Sequence, residues 1–258
     1  MIRQLWQRGW PPLAAVILVI VIWQMYVTIG NVEVWFLPGP LDVWTEAVHN
    51  WSQLSVHVIS SVRLTLIGFA IGIFVALVLA VILHFSPLLE RGVYPLLVLT
   101  QTIPLVLLGP LLLFWLGYGW TTRLFVVALV CFFPILIAFL NGLKQSDFGM
   151  QNYMRMIGAS KWQQFIKLDL PSAISPLFAG LKIAATYCVT GAVIAEWFGA
   201  ENGLGKYIMF SKAGFRMDRA LLGVLLVVIL SLLMVMAVSL IERFLLRWRK
   251  ANAGGDWN

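Results

Sequence analysis

Apolar runs alternate with short polar stretches along the whole chain, and six of the runs stand out, at about 11–30, 60–83, 93–116, 122–141, 174–197 and 220–241. Each matches the ~20 residues that a helix needs to cross a bilayer core. The pattern therefore predicts an all-α membrane protein of six transmembrane helices. Pro11 and Pro12 suit the start of the first. Residues 31–59 are polar by comparison, with Glu33, Asp42, Glu46, His49 and His57, and Asp42 to Trp51 predicts a short surface helix after the Pro38-Gly39-Pro40 turn. In the second run Gly68, Gly72, Ala76 and Ala80 recur every four residues, a small-residue ladder of the kind that lets helix backbones approach closely in lipid. Gly180, Ala184, Gly191, Ala192 and Ala195 supply such positions in the fifth. The third run holds Pro95, Pro104 and Pro110. A backbone interrupted that often is tolerable only against protein or a wet cavity, so this span is expected inside the bundle.

One polar stretch differs from the rest. Gly149 to Pro171 is charged and amphipathic, and its local signals are those of structure. Tyr153, Met154, Met156 and Ile157 share one side of a short helix that Gly158 ends. Ser160 and Gln163 form an S-x-x-Q capping box, which starts a second helix at Lys161. Pro171 disfavours helix at Leu170. The reading is helix, Gly158-Ala159 turn, helix, outside the bilayer core, with the glycine letting two stubby helices cross closely.

This segment resembles the EAA loop of permease subunits in binding-protein-dependent ABC importers, whose pattern is E-A-A, three residues, Gly, nine residues, I-x-L-P. Gly158 stands at the glycine, Ala159 to Lys167 fill the nine positions, and Leu168-Asp169-Leu170-Pro171 closes the pattern with Leu168 for isoleucine. Asn152-Tyr153-Met154 stands where the family has Glu-Ala-Ala. Thr102-Ile103-Pro104, Pro110 and Phe114 to Gly119 are similar to the family's third-span region. Gly191 to Trp197, followed by Gly203-Leu204-Gly205, looks like the end of its fifth span. The likeness covers roughly residues 60–245 and is nearest the branch that imports alkanesulfonates, taurine, nitrate or the pyrimidine precursor of thiamine. It implies a single permease domain over 1–258, paired as a homodimer, with 149–171 as the loop that packs into a groove on a cytosolic ATPase subunit. Asn152, Tyr153, Met154, Gly158, Ala159, Ser160, Leu168, Leu170 and Pro171 would carry that contact. It implies also a soluble substrate-binding protein outside, ATP and magnesium on the ATPase, and alternating access.

Composition agrees with the hydropathy pattern: 61% of the 258 residues are hydrophobic and 11% charged, far from soluble usage. The net charge of +7 does not point to nucleic acid, because the basic residues flank the spans. Twelve of the eighteen lysines and arginines fall on the side that carries the termini and residues 142–175, with Lys182 counted there. Arg63, Arg123, Lys206, Lys212, Arg216 and Arg219 lie opposite, among six acids. Positive-inside then places both termini and the loop in the cytosol of a prokaryotic inner membrane. Cys131 and Cys188 lie inside apolar runs and suggest no disulfide. The short tail ANAGGDWN is expected to be unstructured.

Enzyme chemistry is not assembled anywhere in the sequence. It contains no G-x-x-x-x-G-K-[ST] and no H-E-x-x-H, so no phosphate-cradling loop or zinc site is read and no cofactor is assigned to the chain itself. Thr100-Gln101-Thr102, in the proline-rich span, is the candidate pathway lining. Glu196, beside Trp197 at a span end, either joins the pathway's outer mouth or caps and pairs locally with Lys206 or Arg123. Lys182 either snorkels to the cytosolic surface or lines the pathway. The alternative to an ATP-driven importer is a gradient-driven secondary transporter, which needs paired charges deep in the spans and an internal repeat. A membrane-embedded enzyme needs a convergent acid–base cluster. A channel has only Gly117-Tyr118-Gly119, which reads better as a turn.

Overall fold

The computed structural model describes residues 2–246; Met1 and residues 247–258, with Arg247, Arg249, Lys250 and the expected loose tail, lie outside the described residues. The described chain is helical nearly throughout: α1 (Ile2–Ile29), α2 (Pro40–His49), α3 (Trp51–Phe85), α4 (Pro87–Gln101), α5 (Leu105–Leu116), α6 (Trp120–Lys144), α7 (Phe148–Met156), α8 (Lys161–Gln164), α9 (Leu170–Trp197), α10 (Leu204–Ala213) and α11 (Met217–Leu245). A π-helical turn, Phe165–Asp169, joins α8 to α9.

Four helical runs are long and apolar enough to cross a membrane: Trp51–Phe85, Trp120–Lys144, Lys161–Trp197 and Met217–Leu245. The other two expected spans take different forms. The first is represented by the shorter apolar stretch Ala14–Ile29, in a helix that begins ahead of Pro11 and Pro12 rather than at them. The third is broken at Thr102–Pro104 into helices of 15 and 12 residues. The surface helix expected before Trp51 is α2, and Gly117 to Gly119 is the turn between α5 and α6.

Two expectations are overturned. Leu170 is helical despite Pro171, because the wide turn just before it accommodates a residue that brings no N–H and crowds the preceding carbonyls. The broken third span is not interior to this chain either. α4 and α5 lean on α3, α6 and α9 with one side, while Leu99, Leu107, Phe114 and Trp115 are exposed on the other. The rule that broken backbone needs cover is met by a cavity.

α3, α6 and α9 make the scaffold, with α11 against α9 and α10, α2 on α11, and α1 reaching the rest chiefly through α2. Bilayer helices gain no hydrophobic drive from meeting each other, so close backbone approach must hold them. The predicted ladder does this: Gly68, Gly72, Ala76 and Ala80 are all buried. A Cβ on Gly68 would fall inside Val127, and one on Gly72 would lie 2.8 Å from Cys131 Cβ and 2.9 Å from the Ala128 carbonyl. On the opposite face of the scaffold a Cβ on Gly180 would sit 2.5 Å from Ala138 Cβ and 2.8 Å from the Pro134 carbonyl. Gly142 likewise receives Ala173 and Pro176. Cys131 and Cys188 are free thiols in this core.

Gly72→Leu should therefore separate α3 from α6 and destabilise the bundle by at least the ~1–3 kcal/mol typical of overpacking. Gly92→Leu, at a position with no neighbour within 4 Å, should be silent. Thermal unfolding of the two variants in detergent, followed by tryptophan fluorescence, checks the contrast.

Candidate functional site

The polar stretch folds into a foot of two short helices. Asp147 caps α7, its Oδ1 accepting from the Met150 N–H at 2.8 Å. At the other end Gly158 takes φ +75°. Its N–H donates to the Arg155 carbonyl at 3.0 Å and that of Ala159 to the Met154 carbonyl at 2.9 Å, the paired closing bonds of a left-handed helix stop. A Cβ there would meet nothing within 4 Å, so glycine is required by backbone conformation, not by the crowding expected from the sequence. The capping box forms as read: Gln163 N–H donates to Ser160 Oγ at 3.3 Å and Ser160 N–H to Gln163 Oε1 at 2.8 Å.

The foot presents apolar side chains outward. Tyr153 is 54% exposed, Met156 79% and Trp162 56%, while Asn152, Met154 and Ala159 are half-buried. Leu168, Leu170 and Pro171 are half-buried at its root, where Leu170 packs on the main core. Apolar groups at the tip of a polar loop suit a protein groove better than water.

A buried carboxylate, which the sequence reading missed, fastens this foot. Asp169 sits on the wide turn and accepts from Ser146 Oγ at 2.6 Å, while His84 Nε2 lies 3.2 Å from its Oδ2. Ser146 Oγ in turn accepts from Gln151 Nε2 at 2.6 Å. One side chain thus ties α7, the α6–α7 link and the end of α3 to the start of α9. Around it Phe85, Trp162 and Phe165 stack with ring centroids 5.2–5.9 Å apart. The available signal was a lone aspartate between Leu168 and Leu170. Lys144 pairs with Glu90 near the same end of the bundle, and Lys182 with Glu242 at 2.5 Å, which fastens α9 to α11.

Midway along the scaffold, the break in the third span opens a cavity of about 450 Å³ against α6 and α9. Thr100 and Thr102 line it with Phe133, Pro134, Tyr187 and Thr190. Of Gln101 only the backbone is described. Glu196 does not line this cavity. It is 1% exposed and caps the other end of the scaffold. Ser61 Oγ donates to its Oε1 at 2.6 Å and the Gly205 N–H to its Oε2 at 2.8 Å, while Ser61 Oγ accepts from the Leu204 N–H at 2.8 Å. The Gly205 N–H and the Ser61 hydroxyl thus satisfy the buried carboxyl, and the start of α10 is tied to α3 and α9 through it. Lys206 instead bonds the Glu201 carbonyl, and Arg123 lies over Trp120.

On the same face Arg216 and Arg219 bind Glu46 at 3.0 and 2.8 Å, holding α2 to α11. Asp218 hydrogen-bonds Arg216 and holds its guanidinium above its already high range. Burial, helped by the Glu46 charge, pushes the nearby Tyr207 phenol up to about 12.

Comparison with known proteins agrees with this geometry. Residues 68–250 match the family described as binding-protein-dependent transport system inner membrane component. The formylaminopyrimidine transport permease protein ThiX of Halalkalibacterium halodurans is 30% identical, over 91% of this chain and 94% of that one. The riboflavin transport system permease protein RibX of Chloroflexus aurantiacus is 29% identical, over 96% and 94%. A protein named as an aliphatic sulfonates transport permease, SsuC of Escherichia coli, is 30% identical, over 90% and 89%. A solved amino acid ABC transporter chain shares the fold at a TM-score of 0.64 and 17% identity, over 77% of this chain and 97% of that one. With the family match spanning most of its length, the chain belongs to the binding-protein-dependent transport system inner membrane components, the permeases of ABC importers.

Proposed function

We propose that the chain crosses a prokaryotic inner membrane six times, with both termini and the foot in the cytosol. Two copies form the pathway by which a small polar or anionic solute enters the cell. Cytosolic subunits holding ATP and magnesium grip the foot, and a soluble binding protein delivers solute from outside. The observation that carries this reading is the foot itself, a two-helix projection with an apolar tip and a buried fastening to the scaffold. The names of the relatives support a sulfonate or pyrimidine-precursor type of solute, and nitrate joins that range from the sequence resemblance alone.

The mechanism follows from how the foot is attached. A partner shifts a conformational equilibrium only by contacting its states differently. ATP binding draws the partner subunits together and carries the foot with them. Asp169 hands that motion to α3, α6 and α9 at once, so the spans rock as a unit and the cavity turns outward. Hydrolysis reverses it. Asn152, Tyr153, Met154, Ala159 and Ser160 contact the motor, while Leu168, Leu170 and Pro171 join the foot to the fifth span.

Two outcomes are expected. Gly158→Val, strained by roughly 1–2 kcal/mol at positive φ, should reduce co-purification of the ATP-hydrolysing subunit at least tenfold, whereas Gly158→Asn, which tolerates that conformation, should largely keep it. Equal recovery with both variants contradicts the role of the turn. Asp169→Ala should keep the partner bound yet abolish the ATP-dependent change in maleimide labelling of a Thr102→Cys reporter. An intact change would show that motion reaches the spans by another route.

A further inference from the structure

A second cavity, of about 470 Å³, lies at the root of the foot, between its two short helices and the corner where α3 passes into α4. Arg155 of α7 and Lys161 of α8 line it, and neither has an ion-pair partner among the described residues. Gln151 and Gln164 line it too. Each is held by one amide N–H, to Ser146 Oγ at 2.6 Å and to the Ala159 carbonyl at 3.0 Å, which leaves a second N–H. The acid in the lining is already engaged: Asp169 accepts from Ser146 Oγ on Oδ1 and has His84 Nε2 3.2 Å from Oδ2. The cavity thus offers two cations and two amide donors against one carboxylate that is bonded on both oxygens.

The corner supplies the other half of the chemistry. Phe85 ends an apolar run long enough to cross a membrane, so the cavity opens beside the bilayer boundary. Phe85 and Pro87 form its apolar wall, and Trp162 stacks on Phe85 with ring centroids 5.9 Å apart. Ile82, Leu88 and Leu89 are exposed on the adjoining turns of α3 and α4. Cations beside an apolar strip at that depth match a molecule with an anionic phosphate at one end and hydrocarbon at the other. A free phosphate would satisfy the cations and make no use of the strip. A zwitterionic lipid would bring its own ammonium against Arg155 and Lys161. We propose that this cavity holds the phosphate of an anionic glycerophospholipid, its acyl chains lying along the α3–α4 corner, so that the lipid braces both foot helices against the membrane. The proposal rests on the foot lying at the membrane surface, as read above, and gives that foot a ligand of its own.

The test uses the full chain purified with its ATP-hydrolysing subunits in detergent, with ligand retention followed by native mass spectrometry. The probes are phosphatidylglycerol, phosphatidylcholine and glycerol 3-phosphate, the last carrying the phosphate without the chains. The expected result is saturable binding of phosphatidylglycerol, about tenfold weaker binding of phosphatidylcholine, whose ammonium meets like charge, and no retained glycerol 3-phosphate. Arg155→Gln and Lys161→Gln should each weaken phosphatidylglycerol binding about tenfold, as the loss of one charge-assisted hydrogen bond gives. Arg243→Gln, which removes a charge from the end of α11 outside the cavity, should leave it unchanged. Equal binding of the two lipids, glycerol 3-phosphate bound as tightly as phosphatidylglycerol, an equal effect of Arg243→Gln, or no retained lipid overturns the proposal. The same preparation separates this from the importer reading. Failure of the lipid probes with the ATP-hydrolysing subunits present leaves that reading standing, whereas their absence from the complex removes that reading whichever probe binds.

Discussion

Lipid gives two apolar helices no reason to prefer each other, and everything in this protein depends on how that is overcome. α3, α6 and α9 touch backbone to side chain at Gly68, Gly72, Gly142 and Gly180, where a single methyl group would collide with a neighbour. Dispersion over such short distances is the available glue. Because the contact is steric and close, the three helices move together or not at all. That rigidity is what makes a foot at one end and a capped loop at the other mechanically meaningful.

Both ends use the same device, a buried carboxylate that binds pieces distant in sequence. Asp169 gathers Ser146 and His84 at the foot, and Glu196 gathers Ser61 and the Gly203–Gly205 turn at the opposite end. Gly203 has to be glycine here, since its φ is +148° and a Cβ would overlap the Glu196 carboxylate. In each case the carboxyl is hydrogen-bonded on both oxygens, so it fixes geometry without being left unpaired. The cavity lies between these two clamps, where the third span is interrupted.

What the sequence made legible was local. The ladder on α3 follows from spacing alone. The capping box and the Gly158 stop follow from residue types three to six positions apart, and the structure forms them as read. The rest depended on contacts that spacing does not encode. Leu170 stays helical because a wide turn absorbs Pro171, a choice made over several residues and stabilised by packing. The third span lies at the edge because a proline-broken backbone calls for cover without saying which surface supplies it. Glu196 was recognised as a charge needing a partner, but its partners are a serine far back on α3 and a backbone amide, not the nearby cations. Asp169 was passed over as a filler position inside a motif.

The central claim is that the two-helix foot stands in the cytosol, where a motor can reach it. Sidedness of a cysteine placed at Lys161, probed with a membrane-impermeant maleimide, tests this most directly. The account predicts labelling in inside-out vesicles and none in right-side-out vesicles until the membrane is opened. Labelling from the outside of sealed right-side-out vesicles would contradict it.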